Sequence, residues 1–180
     1  DMEHFYTHHV LHSLGIAKTI VAGEAGGSLP TVRNRIEAEW GSDVMDHSGA
    51  TEIGPWGFGR LDGIGMHVIE TSFLPELLAT EVRDAEGQPL FELVLTSLGR
   101  LGAPVIRYRT GDLVRAAGDS PAGYPFMWLP DGVVGRVDSM VTIRGVNVFP
   151  GSIDEIVKEL DGVVEYRVTV FRAAELDQLR

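Results

Sequence analysis

The sequence contains no cysteine among its 180 residues. This absence excludes disulfides, thiolate metal ligands and a cysteine nucleophile, and it favours a reducing compartment such as the cytoplasm. Basic residues are also few, 15 against 26 acidic ones, so that the formal net charge is -11. Such a chain would repel the backbone of a nucleic acid. We therefore expect no nucleic-acid partner.

Long apolar runs are missing too, since no stretch approaches the roughly 20 residues that a membrane-spanning helix needs. The first residues, Asp1 to His4, lack the basic and apolar regions of a signal peptide. Neither a membrane nor export is indicated, and a cytoplasmic location is expected. The first residue is not methionine, and residues 173–180 read as the beginning of a helix. The sequence is therefore expected to be an internal piece of a longer protein.

The first part of the sequence alternates helical and extended patterns. Residues 4–14 have near-helical apolar spacing, and residues 19–22 read as a short strand. A helix is predicted from a cap at Ser28, with Pro30 in its first turn, to Trp40, and Gly41 ends it. Residues 43–46 read as a second strand. The order predicts a parallel βαβ unit with ligand-binding loops at residues 23–27 and 47–57.

β-favouring runs dominate from Met66 onwards. Residues 67–70, 77–84, 93–98, 105–108 and 113–116 predict an antiparallel β unit, with its best hairpin turn at residues 85–88. Residues 117–131 read as a loop around a short strand at 126–128. Residues 140–143, 150–160 and 163–171 read as strand, helix and strand.

The predicted fold class is therefore α/β with α+β character: a βαβ unit, an antiparallel β unit and the start of a small α+β domain. We expect residues 1–137 to belong to one large domain and residues 138–180 to begin a second one, with the boundary close to Asp138.

Residues 108–112, with the sequence Tyr-Arg-Thr-Gly-Asp, are predicted to form a turn between two strands. The carboxylate of Asp112 beside glycine could accept hydrogen bonds from the vicinal hydroxyls of a ribose. A Gly-Asp turn that binds nothing is the commoner arrangement. Local spacing leaves both interpretations open.

Two further segments could carry chemistry. Arg136 precedes a predicted strand and suits phosphate or ribose oxygens, although a surface ion pair with Asp138 is the alternative. Ser48, Gly49, Ala50 and Thr51 could present amides and a hydroxyl to a phosphate, and Glu52 could hold Mg²⁺. A plain loop of small residues is the alternative there.

The histidines and tryptophans give weaker signals. His8 and His12 have the spacing that can bring two imidazoles onto one metal, but no acidic third ligand accompanies them. We expect no metal site in that helix. Trp40, Trp56 and Trp128 are expected in the core or a pocket wall, and of the three only Trp56 lies where a ligand pocket could form.

Together, the order and spacing of these motifs resemble the adenylate-forming superfamily, in which acyl-CoA ligases activate carboxylic acids through acyl-AMP. Four segments carry the resemblance: residues 23–25, 49–52, 108–112 and 135–145. Residues 144–150, Arg-Gly-Val-Asn-Val-Phe-Pro, are similar to the phenylacetate-CoA ligase branch.

The resemblance implies nucleotide contacts for the first group of matched residues. These residues are Gly23, Glu24, Ala25, Asp46, His47, Ser48, Gly49, Ala50, Thr51, Asp112 and Arg136. Among them, Asp112 would bind the ribose hydroxyls.

The resemblance implies other roles for the remaining matches. Glu52 would hold Mg²⁺, Asp138 would be the hinge of a mobile C-terminal domain, and Arg144 and Gly145 would lie beside the coenzyme A tunnel. The acyl pocket would include His47, Gly54, Pro55 and Trp56.

The implied function is ATP-dependent, AMP-forming activation of an aromatic acid such as phenylacetate, followed by thioester formation. ATP or AMP, Mg²⁺ and coenzyme A would be the cofactors. An aryl-acid adenylating enzyme that loads a carrier protein is one alternative. A non-catalytic nucleotide-binding remnant is another, and a β-rich structural domain with coincidental motifs is a third.

The sequence departs from the superfamily pattern at several places. Ser48 stands where an adenine-stacking aromatic is usual, Ala25 replaces a proline, and Ser139 replaces a frequent second aspartate. Residues 1–180 contain no match to the Gly/Ser/Thr-rich phosphate loop or to the catalytic lysine, and Lys18 and Lys158 lack a glycine-rich context. The isolated chain is therefore expected not to form acyl-AMP.

Overall fold

The computed structural model describes residues 10–23, 27, 29–61, 63–84, 86–121, 123–143, 146–160, 162–163, 165–173 and 176–179. Residues 10–13 form a helical turn. The other elements of these ranges, in chain order, are β1 (Lys18–Ala22), α1 (Pro30–Trp40), β2 (Asp43–Ala50), β3 (Gly54–Gly59), β4 (Met66–Val68), β5 (Phe73–Arg83), β6 (Pro89–Ser97), β7 (Tyr108–Val114), β8 (Trp128–Leu129), β9 (Gly135–Arg136), β10 (Val141–Ile143), β11 (Val146–Val148), α2 (Pro150–Lys158), β12 (Val170–Ala173) and β13 (Leu176–Leu179).

The predicted parallel βαβ unit is confirmed. β1 pairs parallel with β2, and α1 connects them. Gly41 ends α1 in the left-handed conformation, with φ of 64°, and its N–H donates to the carbonyl of Glu37. The predicted cap, Ser28, lies outside the described residues. Arg33 anchors the helix, because its buried Nη2 donates to the carbonyls of Val44 at 2.5 Å and Leu61 at 2.7 Å.

The loop predicted for residues 47–57 is wrong, because β2 continues to Ala50 and pairs antiparallel with β3. The small residues that read as a loop are needed for this pairing. A Cβ on Gly49 would lie 3.0 Å from the Cα of Pro55, so the two strands approach closely only with glycine at this position. A bulge between Ser48 and Gly49 shifts the register there. Pairing with a distant strand thus overrides local propensity.

The described strands form two larger sheets and two antiparallel pairs, β10-β11 and β12-β13. The first larger sheet has the order β1-β2-β3-β4-β8, and the second, with the order β5-β6-β7-β9, is antiparallel throughout. The predicted hairpin turn between β5 and β6 is confirmed, since the N–H of Asp84 donates to the carbonyl of Gln88 at 3.0 Å. Gly87 has φ of 80° in this turn.

β7 corrects the turn predicted for residues 108–112, because the strand runs unbroken through them. On the side of β6, Arg109 pairs with Val94 and Leu113 with Glu92. Three residues of β7, 110–112, therefore lie opposite the single β6 residue Leu93. The hydroxyl of Thr110 donates to the carbonyl of Leu93 at 2.9 Å, and Gly111 has φ of 77°. Gly111 therefore serves a β-bulge within one strand, not a turn between two.

The core lies between the two sheets. Its buried side chains come from both sheets and from the turn before β3: Ile53, Trp56, Met66, Val68, Phe73, Leu93, Leu95, Val114 and Leu129. A second cluster of Leu90, Leu113 and Phe149 fixes the residue before α2 against the second sheet. α2 is therefore held beside β7 by apolar burial.

The last segment differs from the sequence expectation in two respects. β10 pairs antiparallel with β11, a strand that was not predicted. β12 is shorter than the strand predicted for residues 163–171, and it pairs antiparallel with β13. The helix predicted to begin in residues 173–180 is therefore wrong, because the pairing with β12 makes residues 176–179 a strand.

The predicted mixed α/β class is confirmed, with one parallel pair and otherwise antiparallel pairing among the described strands. No helix in the described part of the chain is long and apolar enough to cross a membrane. The division into two domains near Asp138 remains a prediction.

Candidate functional site

A cleft of about 620 Å³ brings together residues from three distant parts of the sequence. The cleft is lined by β2 and the turn after it, by the bulge of β7 and β9, and by α2 and Tyr166. The sequence-predicted site residues that line this cleft are Gly23, Asp46, His47, Ser48, Gly49, Ala50, Glu52, Asp112 and Arg136.

Asp112 lies in the bulge of β7 and lines the cleft. Its side chain is 15% exposed, and its Oδ1 accepts a hydrogen bond from Nη1 of Arg136 at 3.1 Å. The N–H of Asp112 donates to the hydroxyl of Thr110 at 3.0 Å, which holds the main chain in place. Burial raises the pKa of the Asp112 carboxyl, and the Arg136 guanidinium offsets part of that rise. The site thus holds a carboxylate with little hydration and one cationic partner.

Arg136 links Asp112 to Asp138. Its Nε and Nη2 donate to Oδ1 and Oδ2 of Asp138 at 2.9 and 3.1 Å, which is a bidentate pair. Its Nη1 also donates to the carbonyl of Thr110 at 3.3 Å. The hydrogen bonds from Arg136 lower the pKa of the Asp138 carboxyl. The ion pair between Arg136 and Asp138, which the sequence offered as an alternative, is therefore present. Arg136 also connects this pair to Asp112 in the cleft.

Glycines allow the main chain to approach two of the cleft-lining residues, Asp46 and Arg136, closely. A Cβ on Gly59 would lie 2.9 Å from the main-chain N and O of Asp46, and a Cβ on Gly27 would lie 2.6 Å from its Cβ. Asp46 is buried, and its Oδ1 accepts a hydrogen bond from the N–H of His47 at 2.9 Å. A Cβ on Gly111 would lie 3.0 Å from Nη2 of Arg136. These positions therefore have little room for any side chain.

Thr51 and Glu52 lie in the exposed turn between β2 and β3. Glu52 lines the cleft, and its carbonyl accepts a hydrogen bond from Nη1 of Arg100, whereas Thr51 is not among the cleft-lining residues. Among the described residues, no group of three or more histidine or acidic side chains could hold a metal ion. Glu52 is thus a single carboxylate at the edge of the cleft.

The predicted acyl-pocket residues separate in the structure. His47 lines the cleft, but Gly54 and Pro55 belong to β3 and are not part of its lining. Trp56 is 1% exposed and packs in the core between the two sheets. The core alternative for Trp56 is therefore the one that the structure shows.

Some predicted residues lie outside the described ranges: Glu24, Ala25, Arg144, Gly145 and His8. His12 is described, and its ring lies against the end of α1, where a Cβ on Gly41 would be 2.6 Å from its Nε2. It thus packs on the helix terminus.

Sequence reasoning missed the part of the cleft lining that comes from α2 and Tyr166. Pro150, Gly151, Asp154 and Lys158 line the cleft from one face of α2, and Tyr166 joins them. Nζ of Lys158 lies 2.5 Å from Oδ2 of Asp154, and the phenol of Tyr166 donates to Oδ1 of Asp154 at 2.6 Å. This hydrogen bond raises the pKa of Tyr166 to about 12. The helical spacing of Asp154 and Lys158 was a signal that they share a face.

Comparison with known sequences gives related ligases. No family model matches the chain. The phenylacetate-coenzyme A ligase of Pseudomonas putida is 35% identical over 161 residues, covering 82% of this chain and 34% of that protein. The phenylacetate-coenzyme A ligase of Escherichia coli (strain K12) is 34% identical over 164 residues, again covering 82% of this chain and 34% of that protein. The chain spans about a third of the length of the curated relatives it matches.

Solved structures give the same likeness in three dimensions. A 2-hydroxyisobutyryl-CoA ligase in the postadenylation state, in complex with R3-HIB-AMP, matches with a TM-score of 0.79 at 28% identity, covering 98% of this chain and 40% of that one. An open conformation of the same ligase, in complex with 2-HIB-AMP and CoA, has a TM-score of 0.70 at 26% identity, covering 98% of this chain and 44% of that one. The likeness therefore extends over both sheets and the segment after Asp138.

Proposed function

Because the chain belongs to the adenylate-forming ligase superfamily, we propose that its protein is an ATP-dependent, AMP-forming ligase that joins a carboxylic acid to coenzyme A. The observation that carries the proposal is the single cleft lined by Gly23, residues 46–50, Glu52, Asp112 and Arg136. Four separate motifs of the sequence contribute to it. The structural relative with R3-HIB-AMP supports an adenylate as the ligand of this cleft.

In this proposal the described residues bind and orient the nucleotide. Asp112 accepts hydrogen bonds from the ribose hydroxyls. Its carboxylate is largely buried, so few water molecules compete for these hydrogen bonds. Residues 48–50 offer main-chain amides and small side chains to the adenine and the phosphate, and Gly23 contacts the adenine. Arg136 contacts the ribose or the phosphate. His47 lies beside the reacting carboxylate.

The reaction would take place in two steps. A substrate carboxylate oxygen attacks the α-phosphorus of ATP, the bond to the pyrophosphate oxygen breaks, and pyrophosphate leaves with both electrons of that bond. A thiol then attacks the carbonyl of the acyl-AMP, and AMP leaves. Cationic groups around the phosphate stabilise the charge that develops in the first step.

Glu52 is the proposed protein ligand of Mg²⁺. Mg²⁺ commonly takes one or two protein carboxylates and completes its coordination with water and substrate phosphates. Glu52 is an exposed carboxylate at the edge of the cleft, which meets that requirement. When bound, the ion would neutralise phosphate charge.

The acid is proposed to be aromatic. The relatives at 34–35% identity are phenylacetate-coenzyme A ligases, and this supports phenylacetate or a similar aryl acid. The 2-hydroxyisobutyryl-CoA ligase is less similar in sequence, at 28% identity, so that a small hydroxy acid is the second substrate to try.

Asp138 is proposed as the hinge between residues 1–137 and residues 138–180. The residue follows β9 and has an exposed side chain, and its bidentate pair with Arg136 ties it to the cleft. Domain rotation about it would let one site serve both half-reactions. Arg144 and Gly145 would then approach coenzyme A.

ATP–pyrophosphate exchange with a panel of acids tests the proposal on the full protein that carries this sequence. Exchange should depend on an aryl acid, and Asp112→Ala should reduce it by at least about tenfold, as expected for losing a charge-assisted hydrogen bond. Asp119→Ala is the control, because Asp119 is exposed and does not line the cleft. Thioester formation with coenzyme A and with a carrier protein then separates the ligase from a carrier-loading enzyme. Nucleotide binding without exchange would indicate a non-catalytic remnant and contradict the proposal.

A further inference from the structure

The charges of the cleft leave a phosphate with few partners. Its described lining contains four acidic residues, Asp46, Glu52, Asp112 and Asp154. Arg136 and Lys158 are the lysine and arginine side chains of that lining. An anionic phosphate in this cleft therefore needs one of these two cations to offset the carboxylates around it.

Arg136 already has most of its donors engaged. Its Nε, Nη1 and Nη2 donate to Asp138, Asp112 and the carbonyl of Thr110. A phosphate that recruited Arg136 would have to replace two carboxylates that hold the guanidinium from both sides. The cost of breaking those charge-assisted bonds makes Arg136 the poorer phosphate ligand in this arrangement.

Lys158 is held in place but keeps donors available. Its ammonium carries three donor hydrogens, and its ion pair is with the single carboxylate of Asp154. The phenol of Tyr166 donates to the other oxygen of Asp154, so the carboxylate is fixed between the two side chains. The Lys158 side chain is 43% exposed, which leaves it accessible from the cleft.

We infer that Lys158 binds a phosphate oxygen of the adenine nucleotide from the α2 side of the cleft. The inference rests on the proposed function and names a residue that the sequence motifs did not identify. Lys158 and Asp112 line the same cleft, so that one nucleotide would have its ribose at β7 and its phosphate at α2.

Calorimetric titration of the full protein with AMP and with adenosine tests this inference. The two ligands differ only in the phosphate, so Lys158→Met should weaken AMP binding about tenfold and leave adenosine binding unchanged. Lys158→Arg should keep most of the AMP affinity. Lys18→Met is the matched control and should change neither affinity, since Lys18 is exposed on β1 and does not line the cleft.

A second variant separates binding from structure. Asp154→Asn removes a negative charge from the cleft and leaves Lys158 charged, so AMP should bind as tightly as before or about twofold to threefold more tightly. If Asp154→Asn weakened AMP binding as much as Lys158→Met, the two residues would be a structural ion pair and the inference would fail.

Other outcomes also decide the question. An equal loss of AMP and adenosine affinity in Lys158→Met would overturn the inference, as would an unchanged AMP affinity. Titration with coenzyme A and its dephospho form covers the other phosphate source: an effect of Lys158→Met confined to coenzyme A would overturn the nucleotide assignment. A wild-type protein that binds neither AMP nor adenosine would contradict the proposed function itself, and this inference with it.

Discussion

At the scale of single residues, Asp112 combines a structural cost with a proposed use. Burial raises the pKa of its carboxyl, and the nearby Arg136 compensates only in part. The folded state therefore binds the carboxyl proton more tightly than the unfolded state does. The contribution of Asp112 to stability is fully present below the ordinary carboxyl pKa and is lost as the pH rises through the raised pKa. Near neutral pH, the ionised form is kept at the expense of stability.

We predict that Asp112→Asn removes this loss. At about pH 7 its free energy of unfolding should equal that of the wild type or exceed it by up to about 1 kcal/mol, while AMP affinity falls. Urea unfolding at about pH 4 and about pH 7 measures the first effect, and the stability difference between the proteins should shrink at the lower pH.

Asp138→Asn is the control, because the pKa of the Asp138 carboxyl is shifted in the opposite direction. Arg136 lowers the pKa of the Asp138 carboxyl, so its contribution is present above the ordinary carboxyl pKa and is lost as the pH falls. This variant should not be stabilised at neutral pH. An Asp112→Asn protein that is clearly less stable than wild type at neutral pH would show that the pair with Arg136 outweighs burial.

At the scale of elements, the contact between β9 and the start of α2 positions one wall of the cleft. A Cβ on Gly135 would lie 2.5 Å from Cδ1 of Phe149, which is closer than two carbon atoms can approach. Phe149 is buried with Leu90 and Leu113, so its ring has little room to move. Gly135 is therefore needed for α2 to lie where it does.

We predict that Gly135→Ala lowers the free energy of unfolding by about 2 kcal/mol, because overpacking a filled site displaces the ring or the strand. Thermal or urea unfolding measures the change. Gly99→Ala is the matched control, since a Cβ there meets nothing within 4 Å and its φ does not require glycine. Equal effects of the two variants would mean that the Phe149 contact does not restrain α2.

The elements that the sequence predicted well are those with local signals. α1 begins at Pro30 and ends before Gly41, and the hairpin turn at residues 85–88 has Gly87 at positive φ. The missed features depend on distant partners. β2 extends to Ala50 because β3 pairs with it, and β7 is continuous because β6 pairs along it. Gly111 alone does not distinguish a bulge from a turn.

The candidate site divides in the same way. The order of the motifs predicted that residues 46–50, Asp112 and Arg136 share one site. Each of these positions lies in or beside a strand of a segment that resembles the superfamily. Lys158 and Tyr166 were missed because their position depends on how Phe149 anchors α2, which is tertiary packing. Trp56 was assigned to a pocket by its neighbours in sequence, and burial between the sheets places it in the core.

At the scale of the whole molecule, the described cleft contains the proposed ribose and phosphate ligands, Asp112, Arg136 and Lys158. Residues 1–180 contain no match to the superfamily's phosphate loop or catalytic lysine. We predict that a protein made only of these residues shows no ATP–pyrophosphate exchange with aryl acids. The full protein, assayed in parallel, is the positive control. Robust exchange by residues 1–180 alone would require another source of transition-state stabilisation within the cleft.

The bulge of β7 also makes the cleft sensitive to chain length. Residues 110–112 face one residue of the neighbouring strand, and side chains along a strand alternate between its two faces. Deleting one residue of this segment would reverse the faces of all positions on one side of the deletion, even if every remaining residue kept its identity. Over evolutionary time, this segment can therefore exchange amino acids but cannot readily gain or lose one.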